Sequence, residues 1–200
     1  MKTVVLIALT ISTVFTFAQS SQNMGTNLEN DFSKSTLGAE NVAAFEVRAK
    51  QKVVDFCNYI QLISNKNFDE KLRLHSQKSA LKLFNSNQCV VNDSLITGND
   101  SLILVSDFFD AIFETEHQQI VGQASNIVLE DELTLTETGD YAGTITYTQT
   151  LTCYDEEGNV INTIVENKIV GVILSRKTKS FGATDKMIWV VNLCDIQPQA

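Results

Sequence analysis

Three consecutive carboxylates offer one source of acid–base chemistry in this sequence. The segment LEDELTL places Glu130, Asp131 and Glu132 on a predicted strand. Because side chains on a strand alternate between its two faces, Asp131 points away from its neighbours. A single carboxylate that faced the interior would have a raised pKa and could act as a general base. The same charges could instead keep an exposed strand edge from pairing with another chain.

Histidine is the second candidate base, and the chain contains only two. His117 follows Glu114 and Glu116 at the end of a predicted helix, and a histidine paired with a carboxylate can remove a proton from a substrate. A cation also stabilises the carboxyl end of a helix, which is a sufficient structural reason for this residue. His75 belongs to the predicted solvated face of another helix. Asp131 and His117 are therefore the alternative bases, and no residue is assigned a catalytic role.

A polar side chain in the middle of an apolar row favours binding over catalysis. In TITYTQTLTCY, threonines alternate with apolar residues, and Gln149 interrupts the apolar series. Threonine suits the open face of a half-covered sheet, so we expect Gln149 on the covered face. A buried amide needs a protein partner, a water or a ligand, because leaving it unsatisfied costs about 1–3 kcal/mol.

The hairpin that follows predicts which residues share that face. If the EEG of DEEGN is a three-residue loop, Gln149 opposes Val165 and Tyr147 opposes Asn167. Gln149 and Asn167 are then diagonal neighbours, either lining a pocket or forming an amide pair that fixes the strand register. The predicted ligand-binding residues are Tyr147, Gln149, Asn167 and Trp189, the last at the pocket mouth or in the core.

Composition and motifs argue against several functional classes. The net charge is −9 and no basic stripe occurs, which disfavours nucleic acid as a partner. Nucleophile-elbow, zinc-protease, phosphate-loop and dinucleotide motifs are missing from the sequence. Asp93, Asn99 and Asp100 are more typical of a turn than of a calcium loop, which needs ligands at fixed spacing. We therefore predict neither a metal nor a cofactor.

The first residues are typical of an export signal. Lys2 precedes an apolar core of 14 residues with few polar members, VVLIALTISTVFTF at 4–17, and Thr16-Phe17-Ala18 is a small-x-small cleavage site, with Ala18-Gln19-Ser20 as the alternative. The apolar segment is short for a membrane span. We expect residues 1–18 to be a signal peptide, residues 19–41 a flexible leader, and the mature protein to be periplasmic or secreted without membrane insertion.

Export leaves the state of the four cysteines open. An oxidising compartment permits disulfides, and Cys57, Cys89, Cys153 and Cys194 allow three pairings. Cysteines buried in a core of this size would serve equally well as small apolar residues.

Apolar periodicity predicts three helices followed by four long strands. The first helix covers about 42–64, and its apolar stripe is Phe45, Ala49, Val53, Phe56, Ile60 and Ile63. A second helix runs to about residue 85 from a capping box at Asn67 and Glu70, and Ser106 caps a short third helix. From about residue 118 the period is two, with Gly158 turning one hairpin. This order predicts an α+β fold with helices packed on one face of a long antiparallel sheet.

The same order of elements resembles the NTF2-like (cystatin-like) cone, and in particular exported bacterial NTF2-like domains of unassigned role. The matching segments are Leu72–Phe84, Tyr141–Gln149 and Trp189–Ile196, within a likeness that covers about residues 42–197. The resemblance implies a curved sheet, a pocket between its concave face and the helices, and a homodimer through the sheet. It implies no catalytic residue, because no catalytic motif of an enzymatic branch is present.

Three functional hypotheses follow. The first is an exported, non-catalytic domain that binds a small ligand or a protein partner. The second is a small pocket enzyme of the isomerase or dehydratase type. The third is a structural or adhesive envelope protein that works through the threonine face.

Overall fold

The computed structural model describes residues 36–95, 101–182 and 184–199. The predicted signal peptide, most of the leader, and Asn99 and Asp100 lie outside these ranges. The helices are α1 (Ala39–Ser64), α2 (Glu70–Leu81) and α3 (Val105–Phe113). The strands are β1 (Val90–Asp93), β2 (Ser101–Leu104), β3 (Gln119–Leu135), β4 (Tyr141–Tyr154), β5 (Val160–Phe181) and β6 (Thr184–Pro198). None of the helices in the described ranges combines the length and apolar character that crossing a membrane requires.

The first helix confirms the predicted apolar stripe but starts three residues earlier than expected. Gly38 precedes it with an extended backbone, and its carbonyl accepts hydrogen bonds from Asn41 and Val42. Along the stripe, Ala49, Phe56 and Ile60 are completely buried. The apolar stripe is therefore the face of this 26-residue helix that packs against the sheet.

Both predicted helix caps are wrong. Asp69, not Asn67, caps α2, and its side chain accepts hydrogen bonds from the backbone of Lys71 and Leu72. The helix α3 begins at Val105 without a side-chain cap. There the backbone N–H of Val105 donates to the carbonyl of Cys89 instead, so a tertiary contact replaces the local one.

One six-stranded sheet is formed in the order β2-β1-β6-β5-β4-β3. The four long strands pair antiparallel, as predicted. The short β1–β2 hairpin joins the edge of β6 in parallel through Val91 and Ile196, so the sheet is mixed. The helices cover one face of this curved sheet, and the fold class is α+β.

The helix α1 lies unusually close to β3. A Cβ on Gly122 would be 2.7 Å from the carbonyl oxygen of Cys57, so only glycine allows this approach without movement of the backbone. At the end of the helix, the Ser64 hydroxyl accepts a hydrogen bond from the N–H of Ile120 at 2.9 Å and lies 3.2 Å from its carbonyl oxygen. These contacts fix α1 over the inner face of the sheet.

Candidate ligand-binding site

Four polar side chains form a block on the inner face of β4 and β5. Tyr147 pairs with Lys168, and Gln149 pairs with Glu166. Directly paired residues of antiparallel strands point to the same face. Tyr147, Gln149 and Lys168 are 2%, 5% and 0% exposed. The predicted burial of Gln149 opposite the threonine row is therefore confirmed.

The predicted strand register is wrong by one residue. Asp155 does oppose Asn159 in the hairpin, but the pairing then shifts between Cys153 and Tyr154, because Tyr154 pairs with Val160 while Cys153 pairs with Asn162. The extra residue is Ile161, a β-bulge that displaces every later pair.

The shift places Asn167 outside the block. It pairs with Thr148, and the Thr148 hydroxyl donates to its Oδ1 at 3.0 Å on the exposed side of the sheet. A pocket pair of Gln149 and Asn167 is therefore absent, and Glu166 takes the place next to Gln149.

A buried ion pair dominates the electrostatics of the block. Lys168 Nζ lies 2.6 Å from Glu166 Oε2, with the two side chains 1% and 24% exposed. Lys168 also donates to Asn92 Oδ1, and the Ser94 hydroxyl donates to Glu166 Oε2 at 2.6 Å. Such pairing is required because an isolated charge in a protein interior is strongly unfavourable.

Two hydrogen-bonding groups beside the ion pair have no partner among the residues that the structure describes. They are the Tyr147 hydroxyl and the Asn92 Nδ2 group, and both atoms are inaccessible to solvent. Burial raises the pKa of Tyr147 well above its usual value, and Cys57 and Glu166 raise it further. The hydroxyl therefore stays protonated and can donate a hydrogen bond.

The amide of Gln149 contacts a thiol. Its Nε2 donates to Cys57 Sγ over 3.9 Å. Burial raises the pKa of Cys57 to about 12, and the hydrogen bond from Gln149 lowers it only in part. Cys57 is thus a neutral, weak acceptor and not a nucleophile. All four cysteines are free thiols.

The structure places Trp189 in the core next to Tyr141. The two rings meet edge to face, with centroids 5.5 Å apart, and Trp189 is 4% exposed. Its indole Nε1 has no hydrogen-bond partner within the described ranges. Trp189 pairs with Arg176 of β5, eight residues along the strand from Lys168, and it therefore lies apart from the block.

The two alternative bases are separated from the block and from each other. Asp131 is exposed, pairs with Thr144 and accepts a hydrogen bond of 2.5 Å from its hydroxyl. Since Thr144 belongs to the outer threonine row, Asp131 does not face the interior. His117 lines a surface cavity of about 420 Å³ with Glu114 and Glu116.

A second, smaller cavity lies where α1 crosses β3. It has a volume of about 270 Å³ and is lined by Cys57 and Asn58 of α1 and by Gly122 and Ala124 of β3. Ala124 pairs with Gln149, so this cavity lies along the side of the polar block. Within the described ranges, no group of three or more His, Cys, Asp or Glu side chains is arranged to hold a metal ion.

Sequence reasoning missed Glu166, Lys168, Asn92 and Ser94. The alternation in IVENKIVGV does contain the signal, because Glu166 and Lys168 have the same parity as Val170, Val172 and Leu174. All three of those apolar residues are buried. Charged residues are seldom fully buried unless paired, and the register predicted from the hairpin loop placed Val165 and Asn167 on the inner face instead.

The similarity of this chain to known proteins is weak. No family model and no curated protein matches the sequence. Among solved structures, the chain is similar to a protein of Novosphingobium aromaticivorans with the provisional description scytalone dehydratase. The TM-score is 0.40 and the identity 8%, over 80% of this chain and 89% of that chain. A likeness of this degree assigns neither family nor activity.

Proposed function

We propose that this chain is an exported, non-catalytic domain of the NTF2-like type, whose interior binds a small polar ligand beside the Lys168–Glu166 pair. The ligand would carry acceptor oxygens, because the groups available to it are the Tyr147 hydroxyl and the Asn92 Nδ2. The likeness to the cone in the order of its helices and strands supports the family. The buried polar groups around Lys168 support the binding site.

One observation carries the proposal. Two buried donors lack a partner next to a fully buried ammonium group. Each unsatisfied buried polar group costs about 1–3 kcal/mol, and buried polar groups are usually hydrogen-bonded within the protein. A ligand that accepts from both would remove that cost and would be held in one orientation by Lys168.

The chemistry of the block supports binding over catalysis. The charge of Glu166 is balanced by Lys168 and by a hydrogen bond from Ser94. Both partners contact its Oε2 atom, which is therefore already engaged within the protein. Burial holds the thiol of Cys57 protonated at neutral pH. Neither residue is therefore activated for proton abstraction or for nucleophilic attack.

The test is native mass spectrometry of the full chain, followed by identification of small molecules released on denaturation. We expect one bound molecule per chain in the wild type and its loss in Tyr147→Phe and Asn92→Leu. Asn167→Ala serves as the matched control, because Asn167 points to the outer face. Equal occupancy in all four proteins, or no bound molecule in any, would contradict an interior binding site.

Export has a separate test. A chain with the predicted signal should accumulate outside the cytoplasm with an intact mass that begins at Gln19, or at Ser21 for the alternative cleavage site. A full-length mass in the cytoplasmic fraction would rule out the export part of the proposal without affecting the binding part.

The cavity beside His117 favours a second candidate, a small pocket enzyme with His117 as its base. The cavity is large enough for a small substrate, and Glu114 and Glu116 line it together with His117. If this candidate is correct, His117→Gln should abolish turnover of substrates found by screening isomerase and dehydratase reactions, while Tyr147→Phe should not. A His117→Gln variant with unchanged turnover would eliminate it.

A further inference from the structure

Two lysine side chains lie close to the side-chain amide of Asn192 on β6. Lys52 of α1 is 8% exposed. Its Nζ lies 3.3 Å from Asn192 Oδ1 and 3.4 Å from the carbonyl oxygen of Leu83. If the Asn192 amide is turned over, its nitrogen donates to the Val191 carbonyl, and its oxygen then lies 2.8 Å from Lys177 Nζ. Both ammonium groups are thus neighbours of one side chain.

One amide cannot satisfy both lysines. In the first orientation the oxygen faces Lys52, and in the other it faces Lys177. Whichever orientation is adopted, one ammonium group faces an NH₂ group, which is also a donor. No carboxylate of the described residues lies within 4.0 Å of either ammonium group. The acceptors of the cluster are therefore neutral: the Asn192 oxygen, which reaches one lysine at a time, and the Leu83 carbonyl oxygen, 3.4 Å from Lys52 Nζ.

A third donor belongs to the same cluster. Ser175 lies two residues from Lys177 on β5, and Asn192 pairs with Ile173, so all three side chains share one face of the sheet. The Ser175 hydroxyl is buried and has no hydrogen-bond partner within the ranges that the structure describes. An unsatisfied buried hydroxyl on the same face as Asn192 and Lys177 is a donor that a bound anion could use.

The surrounding charges leave the cluster positive. The pKa of Lys52 is lowered to about 8, mainly by burial and then by the charges of Arg48 and Lys177, against the opposing effect of Asp55. Asp55 accepts a hydrogen bond from Gln51 at 3.0 Å, so its charge is shared with another donor. In a chain with a net charge of −9, two lysines at one buried amide, with Arg48 near enough to lower the pKa of Lys52, are unexpected.

We propose that Lys52, Lys177 and Ser175 bind a divalent tetrahedral oxyanion, either free or as the sulfate or phosphate group of a larger molecule. Two ammonium groups match two negative charges, and the serine hydroxyl supplies a further hydrogen bond. Lys177 is exposed and forms the outer side of the site, so the anion has access from solvent. This site is independent of the polar block and of the ligand proposed for it.

The experiment is isothermal titration of the full chain with sodium sulfate at an ionic strength held constant with sodium chloride. We expect saturable binding to one site, weakened at least about tenfold by Lys177→Met and by Lys52→Met, since each removes a charge-assisted hydrogen bond. Lys71→Met, an exposed lysine on α2, is the matched control and should leave the affinity unchanged. Acetate should bind much more weakly than sulfate, because it has one charge and a planar group.

The pH dependence provides a readout that does not depend on the loss of any contact. Sulfate keeps its charge between pH 7 and 10, so its affinity should fall above about pH 8 as Lys52 loses its proton. This fall should be absent in Lys52→Met. Equal sulfate affinity in the wild type, Lys52→Met and Lys177→Met would overturn the proposal, as would an effect of Lys71→Met equal to theirs. If only acetate binds, the site takes carboxylates, and the proposal for a tetrahedral dianion is wrong.

Discussion

Tyr147 of β4 lies directly opposite Lys168 of β5, and the two side chains are 2% and 0% exposed. An aromatic hydroxyl and an ammonium group are thus neighbours in the interior of a sheet-and-helix domain. Only the ammonium group has described partners, Glu166 and Asn92. This asymmetry between two paired residues underlies the first two predictions.

Removing the Glu166 carboxylate alone should destabilise the fold much more than removing the whole ion pair. Glu166→Gln leaves Lys168 buried without a counter-charge, and we expect a loss of roughly 3–5 kcal/mol in the free energy of unfolding by urea denaturation. The double variant Glu166→Leu/Lys168→Met should be more stable than that single variant, since it buries no charge. Glu157→Gln in the exposed hairpin is the control, and a single-variant loss as small as the control's would contradict a buried ion pair.

Two tyrosines of β4 should respond differently to loss of their hydroxyl groups. The Tyr141 hydroxyl accepts a hydrogen bond from the N–H of Leu37 at 3.0 Å, so Tyr141→Phe should destabilise by about 0.5–1.5 kcal/mol. The Tyr147 hydroxyl has no described partner, and Tyr147→Phe in ligand-free protein should be neutral or stabilising. Equal losses in thermal or urea denaturation would show that a water or another group already satisfies Tyr147.

A single methyl group should disturb the contact between α1 and β3. In Gly122→Ala the new Cβ would lie 2.7 Å from the Cys57 carbonyl oxygen, and the backbone of one element must move. We expect about 1–3 kcal/mol of destabilisation. In Gly38→Ala the new Cβ has nothing within 4 Å, so this variant should be destabilised less. Equal destabilisation of both variants in urea denaturation would argue against the close approach of α1 and β3.

The stability of the wild type relative to Lys52→Met should depend on pH. The pKa of Lys52 falls from 10.5 to about 8 in the folded state, mainly through burial. The unfolded chain therefore binds more protons between these pH values, and the folded state becomes relatively more stable as pH rises through them. Chemical denaturation of both proteins from pH 7 to 11, without sulfate, should show that the free energy of unfolding of the wild type increases relative to that of the variant as the pH rises. A constant difference would mean that Lys52 titrates normally.

The regular parts of the fold were predictable because they depend on local patterns. The apolar stripe of α1 and the alternation of Thr146, Tyr147, Thr148 and Gln149 each follow from the period of one element. The left-handed backbone of Gly158, with a φ of 83°, follows from the chemistry of a hairpin turn.

The site was only half predictable because it depends on how two strands align. Tyr147 and Gln149 were identified from β4 alone. Identifying their partners on β5 depends on the bulge at Ile161, and no local pattern in the sequence predicts that bulge. Asn92 of β1 and Ser94, just after that strand, are more than 70 residues from Lys168 and Glu166 in sequence, and their approach is a consequence of the sheet order.

The bulge at Ile161 also bears on how such a domain can change over time. One extra residue in the hairpin decides whether Glu166 and Lys168, or Val165 and Asn167, lie opposite Gln149 and Tyr147. Pairing of the same two strands without this bulge would exchange an ionic interior for an apolar and amide one with no substitution in the site. Changes in strand register, as much as replacements of residues, would then be a route by which homologous domains acquire different ligands.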